Sequence, residues 1–301
     1  MIDGILNVDK PLGLTSHDVV AQIRRMARQR RVGHTGTLDP LATGVLVVCL
    51  GRATRVSQYL MNSTKRYRAT LHLGISTTTH DAEGQVTAER AVDIARPEFG
   101  RILDQFTGHI DQVPPMHSAI KQNGKKLYQL ARRGITVERP PREVDIYAIH
   151  VTRWTPPLVQ IEVECGPGTY IRALARDIGQ AAGCGAHLAA LRRTQSGQFS
   201  VEQAISLAQL AQTFADHTVE QWLYPLDTAF HALPSLHLDE RAAAKLTFGQ
   251  PIPFAGEQNV GRRARAYGPN DQFIALVDQD CENEQWKPIQ VFADARTDRR
   301  S

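Results

Sequence analysis

A single acid, Asp39, lies in the glycine- and threonine-rich stretch GHTGTLDPLATGVL (residues 33–46). The apolar run VLVVCL (45–50) follows and predicts a buried strand. A carboxylate that a loop presents beside such a strand can act as a nucleophile or as a general base. The stretch can equally be an ordinary Asp-Pro turn, because Pro40 favours an extended conformation for Asp39.

Two further interpretations of this stretch involve phosphate. Glycines and threonines can expose backbone N–H groups to a phosphate, but no Lys-Ser or Lys-Thr pair follows these glycines. Phosphate-binding loops also usually lead into a helix, whereas this one leads into a predicted strand. The tetrapeptide TGTL resembles the aspartyl-phosphate motif of cation-pumping ATPases, in which the acid precedes it; here Asp39 follows it.

The elements that must position Asp39 mix helical and strand patterns without a regular βαβ order. This mixture predicts an α+β fold rather than a doubly wound one. A capping box formed by Thr15 and Asp18 predicts the start of the first helix. Strictly alternating or short apolar stretches predict strands, and apolar residues at helical spacing predict helices. The predicted strands are residues 5–9, 45–50, 66–75 and 159–165, and the predicted helices are residues 15–29, 97–107, 127–133 and 169–179.

The composition is that of an ordinary globular protein, with 42% hydrophobic and 22% charged residues in 301. No apolar run is long enough to predict a membrane span, and the N-terminal segment lacks the basic start of a signal peptide. The 4 cysteines form no Cys-x-x-Cys pair, which argues against structural zinc and suits a reducing compartment. We therefore expect a cytoplasmic protein without membrane association.

Basic residues are concentrated in two segments, although the net charge is only +4. RRMARQRR (24–31) contains arginines in five of its eight positions, and residues 121–142 contain seven basic residues and one acid. Such concentrated charge on a nearly balanced chain indicates a surface for a polyanion such as RNA. Two solvated faces without a partner remain the alternative.

Taken together, several stretches resemble the motifs of the TruB-type tRNA pseudouridine synthases, in particular the bacterial stand-alone type. The matches run in order across residues 5–205. Besides GHTGTLDPLATGVL they are VDKPLGLTS (8–16), KRYRATLHLG (65–74), THDAEG (79–84), PPMHSAIKQNGKKLYQLAR (114–132), CGPGTYIRALARDIG (165–179) and CGAHLAALRRTQSGQF (184–199).

The resemblance implies a pseudouridine synthase fold, in which helices and loops flank a mixed, largely antiparallel central sheet. Residues 1–235 would form the catalytic domain, with a tRNA-gripping insertion at about 115–142. Two prolines and a change of composition at 225–236 independently predict a domain boundary there. Residues 236–301 would then form a small β-rich, PUA-like RNA-binding domain.

The reaction that the resemblance implies is the isomerisation of a uridine in tRNA, conventionally position 55 in the T loop. The N1–C1′ bond breaks, the uracil turns, and C5 bonds to C1′. Substrate and product contain the same atoms, so we expect no cofactor and no metal. Asp39 would be the catalytic aspartate, Arg172 its partner, and Tyr67 the residue against the flipped uracil. Whether Asp39 attacks the base, attacks the sugar or removes a ribose proton stays open.

The resemblance also implies a set of substrate-binding residues. His34 would fill the place that the flipped base vacates. Tyr170 and Leu191 would line the uracil pocket, with plain packing as the alternative, and Lys10 would either hold the loop or contact RNA. The basic insertion would grip backbone phosphates through Lys121, Lys125 and Lys126.

The expected partner is tRNA, bound through its T stem-loop and, by the C-terminal domain, through its acceptor arm. We expect a monomer with no obligate protein partner. A non-catalytic tRNA binder or RNA chaperone on the same scaffold is the alternative function. A guide-RNA-dependent synthase is disfavoured by the insertion, and a phosphotransferase would need a metal site that the sequence does not suggest.

Overall fold

The computed structural model describes residues 2–118, 120–122, 124–131, 133–253 and 262–293. The helices are α1 (Ser16–Met26), α2 (Ser57–Met61), α3 (Arg96–Asp104), α4 (Leu127–Ala131), α5 (Ile171–Ala181), α6 (Leu207–Ala215) and α7 (Glu240–Thr247). The strands are β1 (Gly4–Lys10), β2 (Val32–His34), β3 (Ala42–Leu50), β4 (Lys65–Leu73), β5 (Ile75–Thr77), β6 (Val86–Glu89), β7 (Gly108–Gln112), β8 (Lys121–Gln122), β9 (Lys125–Lys126), β10 (Arg142–Thr155), β11 (Leu158–Cys165), β12 (Ala186–Ser196), β13 (Phe199–Ser200), β14 (Ile205–Ser206), β15 (Ser235–His237), β16 (Ile252–Pro253), β17 (Arg263–Tyr267), β18 (Phe273–Asp280) and β19 (Gln285–Val291).

The central sheet has the strand order β14-β1-β3-β12-β4-β11-β10-β7, with β2 paired to β3 and β13 to β12. The β1·β14 and β3·β12 pairs are parallel, and the other pairs are antiparallel. The predicted α+β fold with a mixed, largely antiparallel central sheet is therefore confirmed.

Strand β4 shows why the alternating sequence pattern predicted its burial correctly. Its inner row is buried and includes Tyr67 at 9% exposure. On the outer face, Arg66 and Arg68 form cross-strand ion pairs with Glu164 and Glu162 of β11, each at 3.0 Å. Gly74 ends the strand at φ +86°, so the predicted continuation to residue 75 is wrong, and Ile75 begins β5.

Helices α1 and α5 cover the inner face of the sheet, and both begin close to where their patterns predicted. Thr15 and Asp18 form the capping box at the start of α1, as expected. The apolar face of α5 is buried in the main core, including Leu174 and Ile178 at 0% exposure. Helix α1 ends at Met26, earlier than predicted, because Ala27 caps it and Arg28 takes a left-handed conformation.

Strand β3 is buried on both faces, which explains its continuous apolar sequence. Leu46 and Val48 belong to the main core beneath the helices. Val45 and Val47 face the opposite way and share a second core with C-terminal residues that include Phe292. A strand covered on both sides is a rigid base for the loop that precedes it.

The C-terminal strands form a separate curled sheet in the order β15-β17-β18-β19-β16, with α7 packed against it. This β-rich module agrees with the expectation from the tail of the sequence. Besides the shared core, one of its contacts with the rest of the chain is the Tyr267 hydroxyl, which donates to the Asp227 carboxylate at 2.7 Å. Within the described residues, no helix has both the length and the apolar character needed to cross a membrane.

Candidate active site

Asp39 lies in the loop between β2 and β3, and α1 fixes this loop from one side. The buried Ser16 hydroxyl accepts a hydrogen bond from the Leu38 N–H at 2.8 Å and donates one to the Leu38 carbonyl at 3.1 Å. The Asp39 carbonyl accepts from the Ala42 N–H at 3.0 Å. The backbone on each side of the carboxylate is therefore held by hydrogen bonds rather than left to solvent.

Lys10 holds the same loop from the end of β1. Its ammonium, at 0% exposure, donates to the carbonyls of Leu14 at 2.6 Å, Pro11 at 2.9 Å and Pro40 at 3.5 Å. Burial lowers the pKa of Lys10 to about 8, with the nearby Asp39 opposing that shift. Of the two interpretations left open by the sequence, this geometry supports loop positioning, because the ammonium is enclosed by protein carbonyls.

A second buried cation, Arg193 of β12, anchors the loop from below. Its guanidinium donates to the Val45 carbonyl at 2.6 Å and to the Gly36 carbonyl at 3.1 Å. Its own backbone lies so close to Gly44 that a Cβ there would meet the Arg193 carbonyl oxygen at 2.2 Å. The glycine at this point of the sequence motif is thus required by the parallel pairing of β3 with β12.

The Asp39 carboxylate faces Arg172, which lies in the first turn of α5. Arg172 Nη2 donates to Asp39 Oδ1 at 3.3 Å, and Nε lies 3.0 Å from Oδ2 without being aligned for a hydrogen bond. The arginine side chain is 5% exposed, whereas that of Asp39 is 35% exposed. The structure therefore brings the predicted pair together, with the carboxylate on the open side.

A second carboxylate, Asp81, shares the same guanidinium. Arg172 Nη1 donates to Asp81 Oδ2 at 3.1 Å, and Arg172 Nη2 donates to the His117 carbonyl at 2.6 Å. The Asp81 side chain is 3% exposed, and its other oxygen accepts from the Thr79 hydroxyl and from the Glu83 N–H. Arg172 is thus fixed by Asp81 and the His117 carbonyl while its remaining contacts point to Asp39.

Two opposing effects set the pKa of the Asp39 carboxyl. Burial raises the pKa of the Asp39 carboxyl, and the adjacent Arg172 guanidinium lowers it again, with burial the larger effect. Asp81 adds to the rise, because a neighbouring negative charge disfavours ionisation. A partly desolvated carboxylate that still has a fixed counter-ion is more basic than one in water and keeps an orientation for reaction.

His34, at the end of β2, is neutral at pH 7. Burial, the neighbouring His17 and Arg193 lower its pKa to about 4. The His34 Nδ1 accepts from the Gly36 N–H at 3.3 Å, which leaves the proton of the neutral ring on Nε2. The ring lies at the start of the Asp39 loop, where a neutral aromatic can replace a base in a stack at small desolvation cost.

The remaining predicted pocket residues lie on three neighbouring elements. Burial raises the pKa of the Tyr67 hydroxyl, which the Arg193 guanidinium also reaches. Tyr170 caps α5 and donates its N–H to the Gln112 side chain at 2.8 Å, while burial raises its hydroxyl pKa. Leu191 is buried on β12 beside Ala42 of β3, so its packing contribution is evident from the geometry.

Lys121, Lys125 and Lys126 belong to the β8–β9 hairpin of the insertion. The structure describes their backbone, and their side chains lie outside the described residues. Their predicted contact with phosphates therefore stays a prediction.

Sequence reasoning did not single out Asp81 and Arg193 as site residues. Both are charged residues inside stretches that matched the family pattern, THDAEG and LRRTQSG. Asp81 follows a strand within a polar turn, which is the usual context of a solvated acid, so the pattern alone could not indicate its burial. Arg193 occupies an inward position of β12, and an arginine at such a position is the signal that could have found it.

Comparisons with known proteins identify the family to which the chain belongs. Residues 24–171 match the model of the TruB family pseudouridylate synthase N-terminal domain, and residues 172–231 match that of the tRNA pseudouridylate synthase B C-terminal domain. A tRNA pseudouridine synthase B of Haemophilus influenzae (strain 86-028NP) is 44% identical over 282 residues, with 92% of each chain covered. The protein of the same name from Dehalococcoides mccartyi (strain CBDB1) is 42% identical over 292 residues, with 97% of each covered.

Solved structures with lower sequence identity share the fold of this chain. A chain of a Cbf5-Nop10-Gar1 complex aligns with a TM-score of 0.73 at 30% identity, over 96% of this chain and 85% of that chain. A chain of an H/ACA RNP bound to a substrate RNA containing 2′-deoxyuridine has a TM-score of 0.73 at 28% identity, over 97% of this chain and 85% of that chain. The chain therefore belongs to the TruB family of pseudouridylate synthases.

Proposed function

We propose that this protein isomerises a uridine within tRNA to pseudouridine. The observation that carries the proposal is the Asp39–Arg172 pair, a partly exposed carboxylate held by a buried guanidinium on a loop tied to three elements. The names of the 42–44% identical relatives support tRNA as the substrate. Substrate and product are isomers, so a single carboxylate with a fixed counter-ion is a sufficient set of charged groups for the exchange of the glycosidic bond.

Each site residue has a proposed role that follows from its position. Ionised Asp39 acts as nucleophile or base, and Arg172 keeps it ionised in spite of its burial. Tyr67 packs against the flipped uracil, and its hydroxyl serves proton transfer at C5. Extruding a base from the stack costs a few kcal/mol, and the neutral His34 ring lowers that cost by filling the vacated place.

The finer substrate assignment is the uridine of the T loop, conventionally position 55. Residues 1–235 form the catalytic domain in this proposal, and the basic insertion at about 115–142 grips the T stem-loop through Lys121, Lys125 and Lys126. Residues 236–301, the PUA-like domain, contact the acceptor arm. The protein acts as a monomer, in the cytoplasm where its substrate is found. The alternative of a non-catalytic tRNA binder or chaperone has no observation in its favour.

The test is to incubate the protein with an unmodified tRNA transcript and to map pseudouridine by nucleotide. We expect one modified position in the T loop, without added metal or cofactor. A transcript in which the T-loop uridine is replaced by cytidine is the matched control and should remain unmodified. Absence of pseudouridine in the first transcript, or modification at another site of the control, contradicts the assignment.

A further inference from the structure

An exposed group of arginines lies where α1 ends and β2 begins. We call Arg25, Arg28, Arg30 and Arg31 the arginine corner; all four are exposed to solvent. Between Asp18 and Asp39 the sequence contains no acid. Among the residues that the structure describes, no carboxylate forms an ion pair with any of the four. The corner is therefore a concentration of uncompensated positive charge.

Helix electrostatics accounts for only part of this charge. Arg25 lies in the last turn of α1, where a cation complements the helix dipole. Arg28, Arg30 and Arg31 lie beyond Met26, the last residue of the helix, and the dipole effect falls off within the last turn. Like charges this close together repel, so the fold gains nothing from keeping them.

The backbone at Arg28 gives a second and independent indication. Arg28 has φ +48°, a left-handed conformation, directly after the cap residue Ala27. Helices commonly end with glycine at this position, because glycine adopts that conformation without a steric penalty from Cβ. The chain thus keeps a charged side chain where a residue without one would be less strained.

The segment that carries these arginines is fixed in place. The Gln29 side chain accepts from the Ile2 N–H at 2.9 Å and donates to the Ile2 carbonyl at 2.9 Å. The Arg31 carbonyl accepts from the Gly51 N–H at 2.8 Å, and the Arg24 guanidinium donates to the Val32 carbonyl at 2.8 Å. The backbone that carries the corner is therefore held in one conformation, which reduces the ordering cost of binding a partner.

The position of the corner connects it to the active site. Strand β2 leads directly from Arg31 to His34, a span of about 10 Å at roughly 3.3 Å per residue. This distance is close to the Debye length of about 8–10 Å at physiological salt. On the other side, β3 leads into residues 51–56, where the Arg55 guanidinium lies 5.3 Å from the centre of the Phe292 ring of the C-terminal module.

We propose that the arginine corner binds the phosphodiester backbone of the tRNA whose uridine lies at Asp39, in the part of the tRNA that runs from the reacting loop towards the C-terminal module. This inference rests on the proposed function, since it takes the substrate to be tRNA. It adds a contact surface beside β2, which pairs with β3, whereas the basic insertion connects β7 to β10 at one edge of the central sheet. Phosphate contacts of this kind carry no sequence information and set affinity and register.

The binding test uses the full chain with Asp39→Asn, so that bound tRNA stays unmodified. One variant adds Arg25→Gln, Arg30→Gln and Arg31→Gln. The matched control instead adds glutamine at Arg96, Arg101 and Arg153, three exposed arginines of α3 and β10 near the far end of the central sheet.

We expect the corner variant to bind unmodified tRNA about tenfold or more weaker at about 0.1 M salt. The slope of log affinity against log salt should fall by about 2–3, since each phosphate that the protein no longer neutralises lowers it by roughly 0.7–0.9. The control should change affinity less than twofold. Equal affinities and equal salt slopes for the corner and control variants overturn the proposal. This readout is independent of turnover, so it decides the role of the corner even if no pseudouridine forms.

Two further measurements sharpen the result. With Asp39 intact, the corner variant should raise KM about tenfold while kcat at saturating tRNA stays within twofold, because the substituted residues lie outside the reacting centre. Arg28→Gly should weaken tRNA binding without lowering Tm, since glycine relieves the left-handed strain. Normal KM in the first variant, or normal affinity in Arg28→Gly, contradicts the proposed phosphate binding. Failure of the unsubstituted protein to make pseudouridine contradicts the proposed function instead.

Discussion

Replacing Arg172 with alanine is expected to destabilise the fold as well as to abolish turnover. Arg172 is the counter-ion of two carboxylates, and Asp81 is the more enclosed of them, at 3% exposure. Without Arg172, Asp81 keeps the Thr79 and Glu83 hydrogen bonds to Oδ1 and has no counter-ion at Oδ2. Removing one partner of a buried ion pair costs about 3–5 kcal/mol, or roughly 6–20 °C in Tm for a chain of a few hundred residues.

A double-mutant cycle separates this cost from simple loss of packing. Asp81→Asn alone should cost about 1–3 kcal/mol, because Arg172 keeps Asp39 as a counter-ion. In the double variant Arg172→Ala with Asp81→Asn, position 81 no longer carries a buried charge without a partner, and only the more exposed Asp39 lacks its guanidinium. The two changes should therefore cost about 2–3 kcal/mol less together than the sum of their separate costs.

Urea unfolding of the three variants and the parent gives the free energies, and single-turnover conversion of tRNA gives the activity. The Asp81→Asn change should recover stability in the Arg172→Ala background but not activity, because Asp39 still lacks its guanidinium. Additive stabilities, or an Arg172→Ala variant within about 1 kcal/mol of the parent, would show that Arg172 does not neutralise Asp81.

Three further predictions follow from the same geometry. Burial raises the pKa of Asp39 and the ionised form is the reactive one, so kcat/KM should fall as pH is lowered through an apparent pKa above 3.8. The same acidic decline in kcat/KM should persist in His34→Gln. An apparent pKa at or below 3.8 contradicts the prediction. Tyr67→Phe should keep affinity for tRNA within about threefold and lose at least about 10²-fold in the rate of pseudouridine formation, measured in single turnover; an unchanged rate excludes hydroxyl chemistry. The pKa of Lys10 is lowered from 10.5 to about 8 on folding, so the unfolded chain binds more protons between those pH values. The free energy of unfolding of the parent relative to Lys10→Met should therefore rise by about 2 kcal/mol between pH 8 and pH 10. A difference in urea unfolding that stays constant over this range contradicts the prediction.

The periodicity of the sequence correctly predicted which side chains of individual helices and strands are buried. The inner row of β4 and the apolar face of α5 repeat at the spacings of their elements, so the sequence alone indicated which side chains enter the core. The boundaries were less accurate where a single residue changes the backbone, as Arg28 does after α1 and Gly74 does after β4.

The charged interior of the site was harder to predict, because it depends on contacts between distant parts of the chain. From helical spacing, Arg172 lies off the apolar face of α5, and its loss would be expected to leave folding intact. Its burial arises from Asp81, 91 positions earlier, and from the His117 carbonyl in the insertion. Periodicity describes one element at a time, so it could not indicate that these segments enclose the guanidinium.

The catalytic role of Asp39 is tested by pseudouridine formation by Asp39→Asn on a tRNA transcript under single-turnover conditions. We expect a rate at least about 10³-fold below that of the parent, with tRNA affinity within a few-fold and Tm no lower, because asparagine removes a charge that burial disfavours. Conversion at a rate near that of the parent, by a variant shown by mass to carry asparagine, would mean that the Asp39 carboxylate does not perform the reaction.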